Sequence, residues 1–233
     1  MRTKLMIAAF LLALPVCAGS AFAAGAPAVT STGIPLDAPW KVKLYELAHS
    51  KFLHPGWGWQ HSERDYLMAV QLAKGDGLHV DTDVLFAAAY LHDMSAFMPC
   101  AGPKMEHGEC AARQAGAMLR GTGFPMAKLA AVQAAERGHM FYSKPGSDPN
   151  AIVLHDADSL DFLGDMGAAR LIALTGAKAP SFAPAVKTLR GFLEDIPPGL
   201  ITKTAQRLGR ERAQELQSFL DRLQDESLGG RAM

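Results

Sequence analysis

Apolar residues recur along this chain with the spacing of helices rather than strands. After a proline-marked start at residues 37–39, Trp40, Leu44, Leu47 and Ala48 fall on one face of a helix. No stretch alternates convincingly between apolar and polar residues. The pattern therefore predicts an all-α, compact single-domain helical bundle. Further helices are predicted over residues 61–74, 84–92, 107–120, 125–137, 158–174 and 205–223, with breaks at 179–184 and 197–199.

One of the predicted helices is apolar on every face. Residues 84–91 have the sequence Val-Leu-Phe-Ala-Ala-Ala-Tyr-Leu, which fits either a central helix or a buried strand. Three consecutive alanines favour the helix, and Asp81 is placed to cap its start. We therefore expect this helix to be surrounded by the others.

The first 23 residues form a unit of a different kind. A short basic start is followed by an apolar run at residues 5–16 and by the small-residue pattern Ala21-Phe22-Ala23. These features are typical of a secretory signal peptide, and the run is too short to span a bilayer. A lipoprotein anchor at Cys17 is the alternative, but Val16 stands where a small residue is needed. We predict that residues 1–23 are cleaved, and that residues 24–233 fold in the periplasm or outside the cell without a membrane attachment.

The charge balance excludes one class of function. The chain has 23 Lys and Arg residues and 23 Asp and Glu residues, so its formal net charge is zero. A dedicated nucleic-acid binder would carry a basic surplus, and we therefore expect no binding to a nucleic-acid duplex. With 49% apolar and 20% charged residues, the composition is that of an ordinary globular protein.

Export changes the expected state of the cysteines. Cys17 leaves with the signal peptide, so Cys100 and Cys110 remain as a pair in an oxidising compartment. The residues between them include Gly and Pro, which permit the chain to return on itself within a short loop. We predict a disulfide; two free buried thiols are the alternative.

The chemistry of the chain is concentrated where apolar helices end. His92 and Asp93 directly follow the apolar run at residues 84–91. Neighbouring side chains on a helix diverge by about 100°, so this pair can face one metal ion only at a helix terminus, where the backbone bends. A buried His that is hydrogen-bonded to a capping Asp is the alternative for an isolated pair.

A second group of ionisable residues lies at positions 151–161. Asp158, Asp161 and Asp165 would share a helical face, while Asp156 stands where an N-cap would. Buried carboxylates on one face repel each other unless a cation neutralises them. A solvated face is the alternative, and it is favoured for Asp161 and Asp165 over the other two.

Taken in order, His61, His92-Asp93 and Asp158 resemble the H…HD…D signature of the HD-domain superfamily of metal-dependent phosphohydrolases. The sequences around them are similar as well, at residues 56–64, 85–94 and 156–164. The resemblance implies an HD-type helical bundle of the small bacterial subgroup. It also implies a metal-site core at about residues 61–176, followed by C-terminal helices at 184–227.

The resemblance further implies a ligand set of His61, His92, Asp93 and Asp158. Asp156 is the alternative last ligand; otherwise, it is expected to cap the helix or to support the ligands from behind, as is Asp161. Two imidazoles and two carboxylates suit a divalent ion, which would be Mn, Fe, Ni, Co, Zn or Mg. Four protein ligands leave positions for water and a phosphate oxygen on an octahedral ion.

We therefore expect an exported hydrolase that cleaves a phosphate mono- or diester of a small phosphorylated substrate, with a nucleotide as one candidate. Asp93 is expected to take part in catalysis as well as to bind metal. Arg64, His107 and His139 are further catalytic candidates. A solvated face is the alternative for Arg64, and helix capping or exposure is the alternative for the two histidines.

Three other functions are consistent with parts of the pattern. An HD-fold sensor could bind a metal or ligand without turnover, and a two-metal oxygenase could use additional histidines on the same fold. A purely structural helical protein is the remaining alternative, although it gives no reason for carboxylates at the ends of buried helices.

Overall fold

The computed structural model describes residues 29–101, 104–176 and 181–233. Within these ranges the structure is helical, and its only β pairing is an isolated bridge between Val29 and Pro35. The prediction of an all-α bundle is therefore confirmed. The predicted signal peptide and the candidate anchor Cys17 lie outside the described residues, so both stay predictions.

The described residues contain nine α-helices, which we number in chain order. Their bounds are α1 Pro39–Lys51, α2 Trp59–Asp76, α3 Thr82–Leu91, α4 His107–Leu119, α5 Leu129–Gly138, α6 Pro149–Asp161, α7 Gly164–Gly176, α8 Ala183–Asp195 and α9 Lys203–Glu226.

Helix α3 lies at the centre of the bundle, packed against α1, α2, α5 and α6. Each residue from Val84 to Leu91 is at most 2% exposed. Asp81 caps its first turn, because its side chain accepts hydrogen bonds from the backbone N–H groups of Asp83 and Val84. Burying Phe86 or a leucine of this helix contributes about 1.5–3 kcal/mol to folding. Since the helix ends inside the core, the residue that follows it, His92, is buried as well.

The prediction of one helix over residues 158–174 was wrong, because two helices cover this region. Helix α6 begins at Pro149 with Asp148 as its N-cap, and it ends at Asp161. Gly164 then takes φ +69°, a left-handed conformation that side chains rarely adopt, and the chain turns into α7. The expected common face of Asp158, Asp161 and Asp165 is therefore divided between two helices, with Asp165 exposed.

Asp156 was also misplaced, because it lies within α6 rather than at its N-cap. Its carboxylate accepts hydrogen bonds from the backbone N–H groups of Ile201 and Thr202, at 2.9 and 2.7 Å. Thr202 in turn caps α9 through its own side chain. Asp156 thus links the middle of α6 to the start of α9 through two hydrogen bonds.

The C-terminal helices α8 and α9 pack against α7 and against each other. Buried residues of α9 lie on one stripe, formed by Ala205, Gly209, Leu216 and Leu220. No helix in the described parts of the chain combines the length and apolarity needed to cross a bilayer.

Cys100 and Cys110 form a disulfide, with their Cα atoms 5.8 Å apart. The bond joins the segment after α3 to the first turn of α4, four residues from the N-cap Glu106. Gln114 Nε2 donates a hydrogen bond to the Met98 carbonyl and holds the same segment from the next turn of α4.

We expect the double substitution of Cys100→Ser and Cys110→Ser to lower the free energy of unfolding by about 2–3 kcal/mol, because the reduced chain regains the entropy of an open loop. Urea denaturation measures the change. Dithiothreitol should destabilise the wild-type protein equally and the double variant not at all. Two reactive thiols in unreduced protein would contradict the assignment.

Candidate metal centre

The four predicted ligands come together where α2, α6 and the end of α3 meet. His61 lies in the first turn of α2, and its Nε2 is 3.2 Å from Nε2 of His92. Asp158, on α6, places Oδ1 3.3 Å from the same His61 nitrogen. Asp93 Oδ2 lies 3.6 Å from His61 Nε2 and 3.5 Å from His92 Nε2.

The backbone bends between His92 and Asp93, as neighbouring ligands require. His92 keeps helical dihedrals, φ −55° and ψ −38°, whereas Asp93 departs to φ −99° and ψ 7°. His92 Nδ1 lies 2.9 Å from the Ala89 carbonyl oxygen. Because a carbonyl can only accept, Nδ1 carries the proton, and the lone pair of Nε2 is free to face the cluster.

Asp65 joins this cluster, although the sequence analysis did not single it out. Its Oδ2 lies 3.2 Å from His61 Nε2 and 3.6 Å from His92 Nε2. The side chain is fully buried, and neither oxygen has a hydrogen-bond partner. The available signal was its position four residues after His61, which puts both on one face of α2.

The donor atoms fit a divalent metal ion. One atom from each of His61, Asp65, His92 and Asp158 lies within 4.8 Å of the others, and all four residues are buried. Both oxygens of Asp65 and Oδ2 of Asp158 lack a hydrogen-bond partner. Buried carboxylates in this state are costly unless a cation binds them. Mixed nitrogen and oxygen ligands suit transition-metal ions and Mg²⁺. A structural zinc site would instead be built from cysteine thiolates.

Protonation in the cluster is shared between rings and carboxylates. Burial and Arg170 act to lower the pKa of His61, but the nearby Asp65, Asp158 and Asp161 raise it well above its ordinary value. Burial raises the pKa of Asp65 to about 7, although the same histidine opposes this shift. Metal binding at this site therefore releases protons from the imidazoles.

Asp161 is buried behind His61, so the predicted support of the ligands holds, and the solvated face that was its alternative does not. Its Oδ2 accepts the Nδ1 hydrogen of His61 at 2.8 Å, which directs Nε2 of that ring into the cluster. The same carboxylate accepts from Arg64 Nε at 2.9 Å and from Arg170 Nη1 at 2.9 Å. Arg64, which we predicted as catalytic, is thus bound to Asp161. Arg170 was missed because nothing in its local sequence distinguishes it from a surface arginine.

His107 and His139 lie beside Oδ1 of Asp93, and the ring of His139 also packs on that of His92, with ring centres 4.8 Å apart. The Nε2 atoms of His107 and His139 are 3.0 Å apart, and they lie 3.8 and 3.9 Å from Asp93 Oδ1. Burial and the neighbouring His92 lower the pKa of His139 to about 4, so its ring is neutral near pH 7. His139 Nδ1 donates to the Glu136 carbonyl, so the lone pair of Nε2 faces His107 and Asp93. Asp93 thus faces two groups of donors, one with each oxygen.

We expect Asp65→Asn to weaken Mn²⁺ binding at least about tenfold, because the amide keeps the shape of the side chain but loses the charge that faces the ion. Isothermal titration calorimetry on chelator-treated protein measures this affinity. Glu136→Gln is a matched control, since Glu136 is also buried without a partner but lies outside the cluster. An unchanged affinity in Asp65→Asn would remove Asp65 from the ligand set.

Neither a protein-family model nor a curated protein matches the sequence. Solved structures do match the fold. A "predicted HD superfamily hydrolase" from an uncultured Thermotogales bacterium is 23% identical, with a TM-score of 0.57, over 82% of this chain and 94% of that one. Bacillus subtilis YpgQ in complex with ADP is 19% identical, with a TM-score of 0.61, over 80% and 97%. An HD-superfamily hydrolase from Bacillus thuringiensis is 19% identical, with a TM-score of 0.59, over 80% and 94%.

These neighbours are similar to the chain along nearly their full length, and their shared architecture is helical. The buried His and Asp cluster could hold a metal ion. The chain described here therefore has the HD-domain fold.

Proposed function

We propose that this protein is an exported, metal-dependent phosphohydrolase that cleaves a phosphate mono- or diester of a small substrate. The observation that carries the proposal is the convergence of His61, Asp65, His92 and Asp158 on one buried point, with Asp93 at its open side. Asp93 is 20% exposed, whereas the other four are at most 2% exposed. Asp93 is thus the most exposed of these five side chains, and the others lie buried behind it.

Each side chain of the site has a distinct role in this proposal. His61, His92, Asp93 and Asp158 hold the ion, with Asp65 as an additional ligand. A bound divalent ion supplies Lewis acidity, which makes water available as a nucleophile near neutral pH and offsets negative charge on a phosphoryl group. Asp161 fixes the ring of His61, and it is itself held by Arg64 and Arg170. His107, half-buried beside Asp93, is the group placed to exchange a proton with the leaving oxygen.

Export is supported by two features of the chain. The amino terminus has the pattern of a cleavable signal peptide. The Cys100–Cys110 disulfide is a bond that persists in oxidising compartments and is rare in the cytosol. An exported enzyme would therefore act on substrates of the periplasm or of the extracellular space.

The proposal is tested by elemental analysis of the purified protein and a screen of phosphate mono- and diesters with Mn²⁺, Co²⁺, Ni²⁺ and Mg²⁺. We expect a bound transition metal, and phosphate release that chelation stops and metal restores. Metal binding without any turnover would instead support a sensor.

A two-ion site is the second candidate, because Asp93 also faces His107 and His139 through Oδ1. Two metal ions per chain in the elemental analysis would favour it, and it is the arrangement that an oxygenase on this fold would need.

A further inference from the structure

A cavity of about 400 Å³ opens beside the candidate metal centre. Asp93, Ser95 and His107 are among its lining residues, so the cavity reaches the Asp93 side of the candidate metal centre. Its size lies within the range of small-molecule sites. The remaining lining residues are all apolar: Trp57, Ala96, Met140, Phe162, Leu171, Leu174 and Phe192.

The wall is not only apolar but also held in place. The rings of Phe162 and Phe192 lie 5.0 Å apart, and Phe141 packs against both from outside the cavity, at 6.3 and 5.5 Å. Trp57 stacks on His54 with an interplanar angle of 11°. A preformed aromatic wall binds an apolar group without the cost of ordering its own side chains.

Lysine and arginine are absent from the described residues that line this cavity. Arg170 packs on the ring of Phe162 with its guanidinium carbon 4.5 Å from the ring centre, but it is not among the lining residues, and its donors are directed to Asp161 and the Gly56 carbonyl. Lys104 lines a separate, smaller cavity that shares Ser95 and His107. A chain of several phosphates inside the apolar cavity would therefore lie against Phe and Leu side chains without compensating charge.

We infer that the substrate is a phosphate ester whose organic group is bulky and apolar, with the phosphate at Asp93 and the apolar group between Trp57, Phe162 and Phe192. This inference rests on the proposed function and narrows its substrate class. Enzymes that bind a nucleotide through its phosphates place basic side chains around those phosphates. The inferred substrate class is therefore different from theirs.

The test compares phosphate esters that differ in apolar bulk but share a primary alkoxide leaving group. We expect kcat/KM for 3-phenylpropyl phosphate to exceed that for propyl phosphate by at least about tenfold, because the phenyl ring has a place in the cavity. Adenosine 5′-phosphate should be a poorer substrate than 3-phenylpropyl phosphate. A preference for propyl phosphate or for the nucleotide would overturn the inference.

Two cavity variants check that the preference arises from this wall. Phe192→Ala and Leu174→Gln should each reduce the ratio of the two kcat/KM values at least about fivefold, mainly through 3-phenylpropyl phosphate. Both residues are half-buried, so the fold has other contacts to retain. Phe219→Ala is the matched control. This phenylalanine lies on α9, packs against the hydrophobic core of the protein and is not among the residues that line the cavity. An unchanged ratio in both folded variants would contradict the assignment.

A binding measurement separates this inference from the proposed function. Calorimetry with 3-phenylpropyl phosphonate and propyl phosphonate, neither of which can be hydrolysed, should show tighter binding of the phenyl compound to the metal-loaded wild type and a loss of this preference in Leu174→Gln. If no ester is hydrolysed but this preference is present, the hydrolase proposal fails while the apolar site stands. If esters are hydrolysed but neither compound is preferred, the apolar site fails alone.

Discussion

Replacing His92 or Asp93 by alanine is expected to abolish both metal binding and turnover. His92 contributes an Nε2 whose orientation is fixed by the Ala89 carbonyl, and Asp93 faces His92 with one oxygen and His107 and His139 with the other. We expect phosphate release to fall by at least about three orders of magnitude, which corresponds to about 4 kcal/mol of transition-state stabilisation. The measurements are metal content by elemental analysis and kcat/KM on the best ester from the screen.

Exposed residues of the same types provide the controls for this result. His79→Ala and Asp165→Ala should keep the bound metal and full activity, since both side chains are exposed. If His92→Ala or Asp93→Ala folds and still hydrolyses the ester at a comparable rate, the assignment of the catalytic centre is wrong.

Asp161→Asn is expected to destabilise the protein and to weaken metal binding together. The carboxylate accepts hydrogen bonds from His61, Arg64 and Arg170, and Arg170 is only 2% exposed. Removing its charge leaves a buried guanidinium without its partner, which costs about 3–5 kcal/mol. Urea denaturation of metal-free protein measures this loss. Mn²⁺ affinity should fall about 10–100-fold, because the ring of His61 is no longer held in one orientation.

The neighbouring exposed aspartate makes a matched comparison possible. Asp165→Asn carries the same change of charge on the next helix, and we expect it to alter the free energy of unfolding by less than about 0.5 kcal/mol. A loss below about 1 kcal/mol in Asp161→Asn would show that the buried ion pairs are not what holds His61.

Local sequence carried enough information to predict the centre of the fold. An apolar run with three consecutive alanines and a capping Asp81 favours a buried helix over a buried strand, and the histidine immediately after this helix is buried with it. The pairing of Cys100 with Cys110 was predictable for a similar reason, because few conformations are open to a short loop in an oxidising compartment. The helix over residues 158–174 failed because Gly164 does not reveal its left-handed conformation in sequence.

Residues whose roles depend on distant partners could not be predicted in the same way. The supporting role of Asp161 came only from the family resemblance, because no local feature identifies this residue as buried and its partner Arg64 lies 97 positions away in the chain. Asp65 has the appearance of an ordinary polar residue on a surface helix, and only the packing of α2 against α3 and α6 places it beside two imidazoles. The apolar cavity is likewise formed by side chains from several helices, so its character emerges only in the folded chain.

A crystal structure of the Mn²⁺-loaded protein, with anomalous diffraction to locate the metal, tests the central claim most directly. We expect an anomalous peak within about 2.0–2.3 Å of Nε2 of His61, Nε2 of His92 and a carboxylate oxygen of each of Asp93 and Asp158. A peak elsewhere in the molecule, with these four side chains too far apart to contact a single ion, would contradict it.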